Sequence, residues 1–439
     1  MSKKFVLILL DGLGDKSFAR LGHQTPLQAA HTPFLDSLAQ KGCTGLYHAA
    51  SQGQALPSEN AHFVMFGYDL REFPGRGALE ALGSGIELQK DQVAVLAHFA
   101  YVGPEQNRLR LLRDHVQAEP WEIQQAFFQV AEFQDLGLHL SLRQAKGPFG
   151  VILLKGGASP HITDSNPVLD GNLLTAVKPL QGHEQDPASI NTAQFLTRYL
   201  SWAHARLSKT ELNQERKRSG APLLNALVTQ RAGRLRERLL FAQKNGIKGL
   251  SVASGVVYQG LARYLGMGVV RAEEMQDPGL ELRERIHVAG DYLDKYDFIH
   301  VHSKAPDEAA HKKDPLLKKQ AIESLDRGLS QSLPSLLDRG DVTLAVTADH
   351  STPSGGYLVH SGEPVPLLIT GPGTRVDPVE KFHETSVACG GLGFVRGREL
   401  MYLVLNYLER AKLMGLRDTP EDRPYWPGGG EPFILEPDE

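Results

Sequence analysis

The sequence predicts an α/β fold: a mostly parallel sheet sandwiched by helices, with a smaller α+β module inserted into it. Three observations lead there. Phe5 to Leu10 and Val342 to Thr347 are apolar runs with little polar alternation, as expected of strands buried on both faces. Segments with helical spacing separate such runs, the pattern of a parallel sheet with crossover helices. Between about 95 and 180 the texture changes to short segments such as "HFAYVG", "RLRLLRD", "LGLHLSLRQ" and "VILLKGG", broken by Gly, Pro, Asn and Asp. The expected organisation is a core of residues 1–94 and 181–439 around an inserted substrate-binding or cap domain of residues 95–180.

The elements follow in order. After the first strand, "TPLQAAHTPFLDSLAQKG" (25–42) spaces Leu27, Ala30, Phe34, Leu35 and Leu38 for an amphipathic helix, with Pro33 as a start signal and Gly42 as a stop. A helix-like stretch near Pro120 to Phe133 lies inside the inserted module. "KGLSVA" (248–253), "YDFIHVH" (296–302) after the helical "GLELRERIHVAGDYLDK", and Val342 to Thr347 complete the predicted core strands.

Composition narrows the function. Of 439 residues, 41% are apolar and 22% charged, ordinary for a globular chain able to bury a large core. Net charge is −4 with no basic stripe, so nucleic acid is not an expected partner. No run approaches the ~20 apolar residues of a membrane span, and the apolar run at Phe5 to Leu10 is shorter than that of a signal peptide and ends at Asp11. Two cysteines, Cys43 and Cys389, exclude a disulfide scaffold and a cysteine zinc site. The expectation is a cytoplasmic enzyme.

Ionisable residues collect where the strands end. Asp11 follows the first strand, His302 and then Asp307 the third, and Asp349 and His350 the fourth. Ligands bind beyond the carboxyl ends of parallel strands, and buried carboxylates need a partner or a cation. In "HSKAPDEAAHKKD", Asp307 and His311 are spaced i, i+4 and share a helix face. "GGYLVHSGEP" adds His360 and "ALPSENAHF" adds Ser58. These donors suffice for two divalent ions, one held by Asp307, His311 and His360, the other by Asp11, Asp349, His350 and Ser58. Oxygen and imidazole ligation without thiolates suits Mn²⁺, Zn²⁺ or Mg²⁺, and the imidazoles favour the first two. Taken one at a time, a strand-end Asp is most often a cap or turn residue and a helical Asp-x-x-x-His a surface pair; their convergence carries the metal reading.

With these residues in place, the chain resembles the metal-dependent alkaline-phosphatase superfamily and, within it, the archaeal-type cofactor-independent phosphoglycerate mutases. The matching stretches include "LILLDGLGD", "TPLQAAHTPFLDSLA", "LNQERKRSGAPLLNALVTQRAG", "HSKAPDEAAH", "TADHSTP" and "HSGEPVPLLITGP", in order over most of the chain. The resemblance implies an alkaline-phosphatase-like fold and two divalent ions, Mn²⁺ first. It also implies Ser58 as a nucleophile that becomes phosphoserine, and a small phosphorylated metabolite as substrate, moved between the 2- and 3-positions of glycerate. Arg216 and Arg231, in the matching stretches, are candidate clamps for phosphate or carboxylate, with a salt bridge as the alternative. "RLLRDHVQ" stands in for an Arg-rich segment and offers Arg113, Asp114 or His115 as a substrate ligand or general acid and base.

The chain departs from that family at "PSENAH" around the nucleophile, at Phe149 and Lys155 where the family carries arginines, and at "AEEMQDPGL" (272–280). An altered pocket keeps a second reading open: a metal-dependent phosphatase or phosphonate hydrolase acting on a different metabolite. A regulatory protein that keeps the ligands without turnover is the third.

Overall fold

The structure is a computed structural model that describes residues 3–426 and 431–435. It divides into two compact units, residues 1–73 with 238–439, and residues 74–237. Strands β1 (Lys4–Leu10) and β2 (Cys43–His48) belong to the first unit. The second holds β3 (Val93–Glu105), β4 (Arg108–Arg113), β5 (Glu132–Asp135), β6 (Leu138–Lys146), β7 (Phe149–Lys155) and β8 (Ala226–Gly233). The chain then returns through β9 (Gly249–Ala253), β10 (Gly268–Arg271), β11 (Phe298–Ser303), β12 (Val342–Thr347), β13 (Val365–Thr370) and β14 (Gly393–Arg396).

In the first unit eight strands form one sheet in the order β10-β9-β11-β1-β12-β13-β2-β14. β1 lies near its centre, parallel to β11 and β12, with Leu9 level with both His302 and Thr347. All residues of β1, β11 and β12 are buried, which explains why they read as continuous apolar runs. The sheet is parallel apart from β13, which runs antiparallel to β12 and β2. The expected helix over 25–42 is two pieces, Pro26–Ala29 and Pro33–Ala39, each begun by its proline after a threonine N-cap residue; ψ near 146° at Ala30 breaks the path between them.

The second unit is an antiparallel sheet in the order β4-β3-β7-β6-β5, with β8 also pairing β3. Phe99, Phe127, Leu140, Ile152, Phe195 and Tyr199 meet in its core. The segment 95–180 expected as an insertion falls inside this unit, which extends further both ways. β8 pairs with β3 from Ala94 to Ala100, and the helix Pro187–Leu207 supplies Phe195 and Tyr199 to the same core.

Candidate active site

The carboxyl ends of β1, β11 and β12 bring three loops together in the first unit. Asp11 follows directly on β1, its N–H donating to the Ser303 carbonyl at the end of β11. Gly12 then takes φ of 65°, and a Cβ there would lie 2.5 Å from Thr352 Oγ1 and 2.9 Å from Asp307 Oδ1. Only glycine allows that turn and approach together. The Gly12 N–H donates to Asp349 Oδ1 (3.2 Å), tying the first loop to the one after β12.

Ser58 opens the helix Ser58–Met65, behind Pro57. Its Oγ lies 2.8 Å from His350 Nε2. The same nitrogen is 3.2 Å from Asp349 Oδ2 and 3.4 Å from Asp11 Oδ1. Beside this group, Asp307 Oδ2 is 3.2 Å from His311 Nε2, four residues on in the helix Ala305–His311, and Asp307 Oδ1 is 3.7 Å from His360 Nε2. The His360 and His350 rings stack, centroids 3.7 Å apart. All seven residues singled out as metal ligands therefore lie in one place. Their grouping differs in one respect from the expected one: donor atoms of Asp11, Asp349 and His350 form one tight set, those of Asp307, His350 and His360 another. His350 joins both, and His311 reaches Asp307 from the rim, its side chain 39% exposed.

The electrostatics fit a cation. Asp11 Oδ1 and Asp349 Oδ2 are buried and have no hydrogen-bond partner. Burial, reinforced by the Asp349 and Asp307 charges, pushes the Asp11 carboxyl well above its ordinary range. Burial likewise pushes Asp349 up to about 7. At Asp307 burial acts in the same sense, but hydrogen bonds from His311 and Thr352 outweigh it and hold the carboxyl below its usual range. Burial, with His360 alongside, keeps His350 neutral. Buried carboxyls crowded together with neutral imidazoles form a donor set whose ionised form is stable only with added positive charge. Oxygen and imidazole donors with no thiolate suit a divalent ion.

Of the supporting residues, His302 alone was marked by its place at a strand end, and most of the others carried no local signal in the sequence. Tyr258 donates its hydroxyl to Asp11 Oδ2 at 2.8 Å. His302 Nε2 is 3.1 Å from Asp11 Oδ2. His62 Nδ1 lies 2.8 Å from the Ser58 carbonyl oxygen and 3.4 Å from Asp349 Oδ2. Thr352 donates to Asp307 Oδ1 (2.7 Å) and sits 3.1 Å from His350 Nδ1. Lys318 is fully buried and donates to the carbonyls of Gly14 and Thr352, both at 2.8 Å, and to Asp15 Oδ2 at 3.2 Å. It thereby pins two of the three loops. A lysine among the buried Pro315, Ala321 and Ile322 on the helix Pro315–Leu337 was the one readable sign of that role.

A cavity of about 510 Å³ is lined by Ala305, Glu308, Ala309 and Lys312 together with Asp277 and Arg327. It opens on the face of the helix Ala305–His311 opposite Asp307 and His311, and none of the seven site residues lines it.

Arg216, Arg231 and His115 lie in the second unit. Arg216 is a correction. Its guanidinium is buried and committed to both oxygens of Glu122 at 2.7 Å and to the carbonyls of Gln117 and Pro222. It is the salt bridge of the two readings, because those acceptors absorb the fork. Arg231 is exposed, with its backbone at φ 55° and its N–H donating to Asp164 Oδ1. The His115 side chain is 67% exposed, its Nε2 3.4 Å from Asp114 Oδ2.

A two-unit α/β chain with an oxygen and imidazole donor nest at the strand ends defines a metal-dependent enzyme, and the profile of the Metalloenzyme superfamily matches residues 3–407. The 2,3-bisphosphoglycerate-independent phosphoglycerate mutase 2 of Methanocaldococcus jannaschii is 36% identical over 98% of this chain and 99% of its own. A solved structure of a Pyrococcus horikoshii protein superposes with a TM-score of 0.76 at 29% identity, covering 95% of this chain and all of that one. The cofactor-independent phosphoglycerate mutase of Thermoplasma acidophilum gives 0.64 at 28% identity, over 92% of this chain and all of its own. The chain belongs to the metalloenzyme superfamily and, within it, to the 2,3-bisphosphoglycerate-independent phosphoglycerate mutases.

Proposed function

We propose that this chain interconverts 2-phosphoglycerate and 3-phosphoglycerate in two phosphoryl transfers through Ser58. The observation that carries the reading is the Ser58 Oγ, 2.8 Å from His350 Nε2, a nitrogen that itself faces the carboxylates of Asp11 and Asp349. In the first transfer Ser58 Oγ gives up its proton and bonds to phosphorus while the ester bond to glycerate breaks, and the freed glycerate oxygen takes up a proton to become a hydroxyl. In the second, the other glycerate hydroxyl gives up its proton and attacks the phosphoserine, the Oγ–phosphorus bond breaks, and Oγ is reprotonated.

Asp307, His311 and His360 are assigned to one divalent ion, and Asp11, Asp349, His350 and Ser58 to the other, with Mn²⁺ the first choice. When bound, such ions supply a lowered pKa at the serine hydroxyl and neutralise charge on the phosphoryl oxygens. Tyr258 and His302 hold Asp11, and His62 fixes the backbone of Ser58. Arg231 and His115 are assigned to the substrate's anionic groups. The setting is cytoplasmic, with a small phosphorylated metabolite as the only partner this reading requires.

Phe149 and Lys155, at positions where arginines were expected, favour a second reading: hydrolysis of another phosphate monoester. One assay separates the two. Purified chain with Mn²⁺ and 3-phosphoglycerate yields 2-phosphoglycerate without free phosphate, and Ser58→Ala abolishes it. Free phosphate without isomer would assign the hydrolase.

A further inference from the structure

In the second unit, residues at one end of the sheet form a cluster of their own. β4 pairs antiparallel with β3, Arg113 opposite Tyr101, so the chain leaving β4 carries Asp114 and His115 back along β3 toward His98. His98 Nε2 lies 2.9 Å from Asp114 Oδ1, and His115 Nε2 lies 3.4 Å from Asp114 Oδ2. Donor atoms of all three residues fall within 4.8 Å of one another.

We infer that His98, Asp114 and His115 bind a divalent transition-metal ion, separate from those assigned to the first unit. The spacing suits it: donors ~2.0–2.2 Å from one ion stand roughly 3–3.5 Å apart. Donor separations in the first unit's nest are of the same size, from 3.2 to 3.7 Å. The set is also preorganised. The His98 side chain is 2% exposed, and burial keeps its imidazole neutral, as a ligand must be. Asp114 is anchored through its own N–H, which donates to Asp170 Oδ1 at 2.8 Å. Phe149, across from His98 on β7, packs against both imidazoles with centroids 5.3 and 5.6 Å away.

Two imidazoles and one carboxylate form a three-ligand site with positions left over for water or an oxyanion, and they select Zn²⁺, Co²⁺ or Fe²⁺ over Mg²⁺. Binding through Nε2 replaces the His98–Asp114 hydrogen bond, and the neutral imidazole then carries its one proton on Nδ1, so uptake at His98 needs a tautomer shift and no net proton release. The site rests on the geometry of the second unit; it claims His115, so in this reading that imidazole meets the substrate's anionic groups through the ion, while the Ser58 chemistry is untouched and is tested separately.

The test is metal stoichiometry on the full chain, stripped by chelation and dialysed against low-micromolar Zn²⁺. His115→Ala, an exposed position where folding is not at risk, and Asp114→Asn are each expected to retain one equivalent less than the unsubstituted chain. Their affinity for that ion should fall more than ~10-fold. Asp349→Asn should leave this equivalent in place. In crystals soaked with Zn²⁺, anomalous density should appear between His98 Nε2 and His115 Nε2. Equal stoichiometry in the unsubstituted chain and His115→Ala, or density confined to the first unit, overturns the proposal.

Discussion

Tyr258 donates its phenol O–H to Asp11 Oδ2 across 2.8 Å, while the other oxygen of that carboxylate, Oδ1, faces His350 Nε2 at 3.4 Å. Burial and the neighbouring Asp11 charge raise the Tyr258 hydroxyl well above its ordinary range, so it stays a donor throughout the working pH range. One oxygen of Asp11 is thereby occupied and the other is aimed. Tyr258→Phe removes the donor without opening a cavity. The expected result is a ~10–100-fold loss in Mn²⁺ affinity or kcat, the usual effect of losing a hydrogen bond to a metal-binding carboxylate, with KM little changed. Calorimetric titration of the chelator-stripped protein with Mn²⁺ measures it directly, and unaltered affinity and turnover would remove Tyr258 from this role.

Thr352 is a second such residue. Its hydroxyl has one proton, and Asp307 Oδ1 at 2.7 Å takes it. The contact with His350 Nδ1 at 3.1 Å is then an N–H donated to Thr352, which leaves the Nε2 lone pair facing Ser58; this tautomer is inferred from the hydrogen-bond pattern. Thr352→Val, nearly isosteric, frees the His350 tautomer and deprives Asp307 of a donor. Activity is expected to fall by ~10-fold or more, and Thr352→Ser should restore most of it. If valine and serine variants behaved alike, the hydroxyl would have no part in the site.

Much of this nest was readable in the sequence because it is built from strand ends. Asp11 follows an unbroken apolar run and Asp349 with His350 a largely apolar one, and Asp307 with His311 follows the helical period, so local pattern sufficed. What packs against them was not readable. Tyr258 reaches Asp11 from 247 positions away and Lys318 reaches Gly14 from 304, and neither contact leaves a periodicity. Arg216 shows the same limit: nothing near it in sequence announces Glu122, 94 positions away. β8 closes the second unit by pairing with β3 more than a hundred residues earlier, which is why its extent was read too narrowly. β13 hides its antiparallel direction, since Pro366 interrupts a run otherwise like its parallel neighbours.

Metal uptake in the first unit should be coupled to protons. In the metal-free chain burial pushes Asp349 up to about 7 and raises Asp11 as well. The folded-state carboxyls therefore hold protons that the unfolded chain, with an aspartate pKa of ~3.9, has already lost. Such groups contribute stability that is complete below the unfolded value and is lost as pH rises through the folded one. The metal-free protein should melt at a lower temperature at pH 8 than at pH 6. Mn²⁺ binding, which needs the ionised carboxylates, should tighten over that interval and release protons. Calorimetry in two buffers of different ionisation enthalpy counts them; a pH-independent affinity would contradict the donor assignment.

Arg216 and Glu122 should matter for folding rather than for substrate. Their side chains are 8% and 10% exposed, with the guanidinium 2.7 Å from the carboxylate. Glu122 also accepts the Glu119 N–H at the start of the helix Pro120–Gln129. Removing one member of such a pair strands the other charge and costs about 3–5 kcal/mol. Arg216→Met is thus expected to lower the melting temperature by many degrees while the KM for phosphoglycerate, measured well below the transition, stays near that of the unsubstituted enzyme. Arg216→Met combined with Glu122→Leu should regain much of the loss, because no unpaired charge remains buried. A KM that rises sharply in Arg216→Met with stability intact would instead return Arg216 to the substrate site.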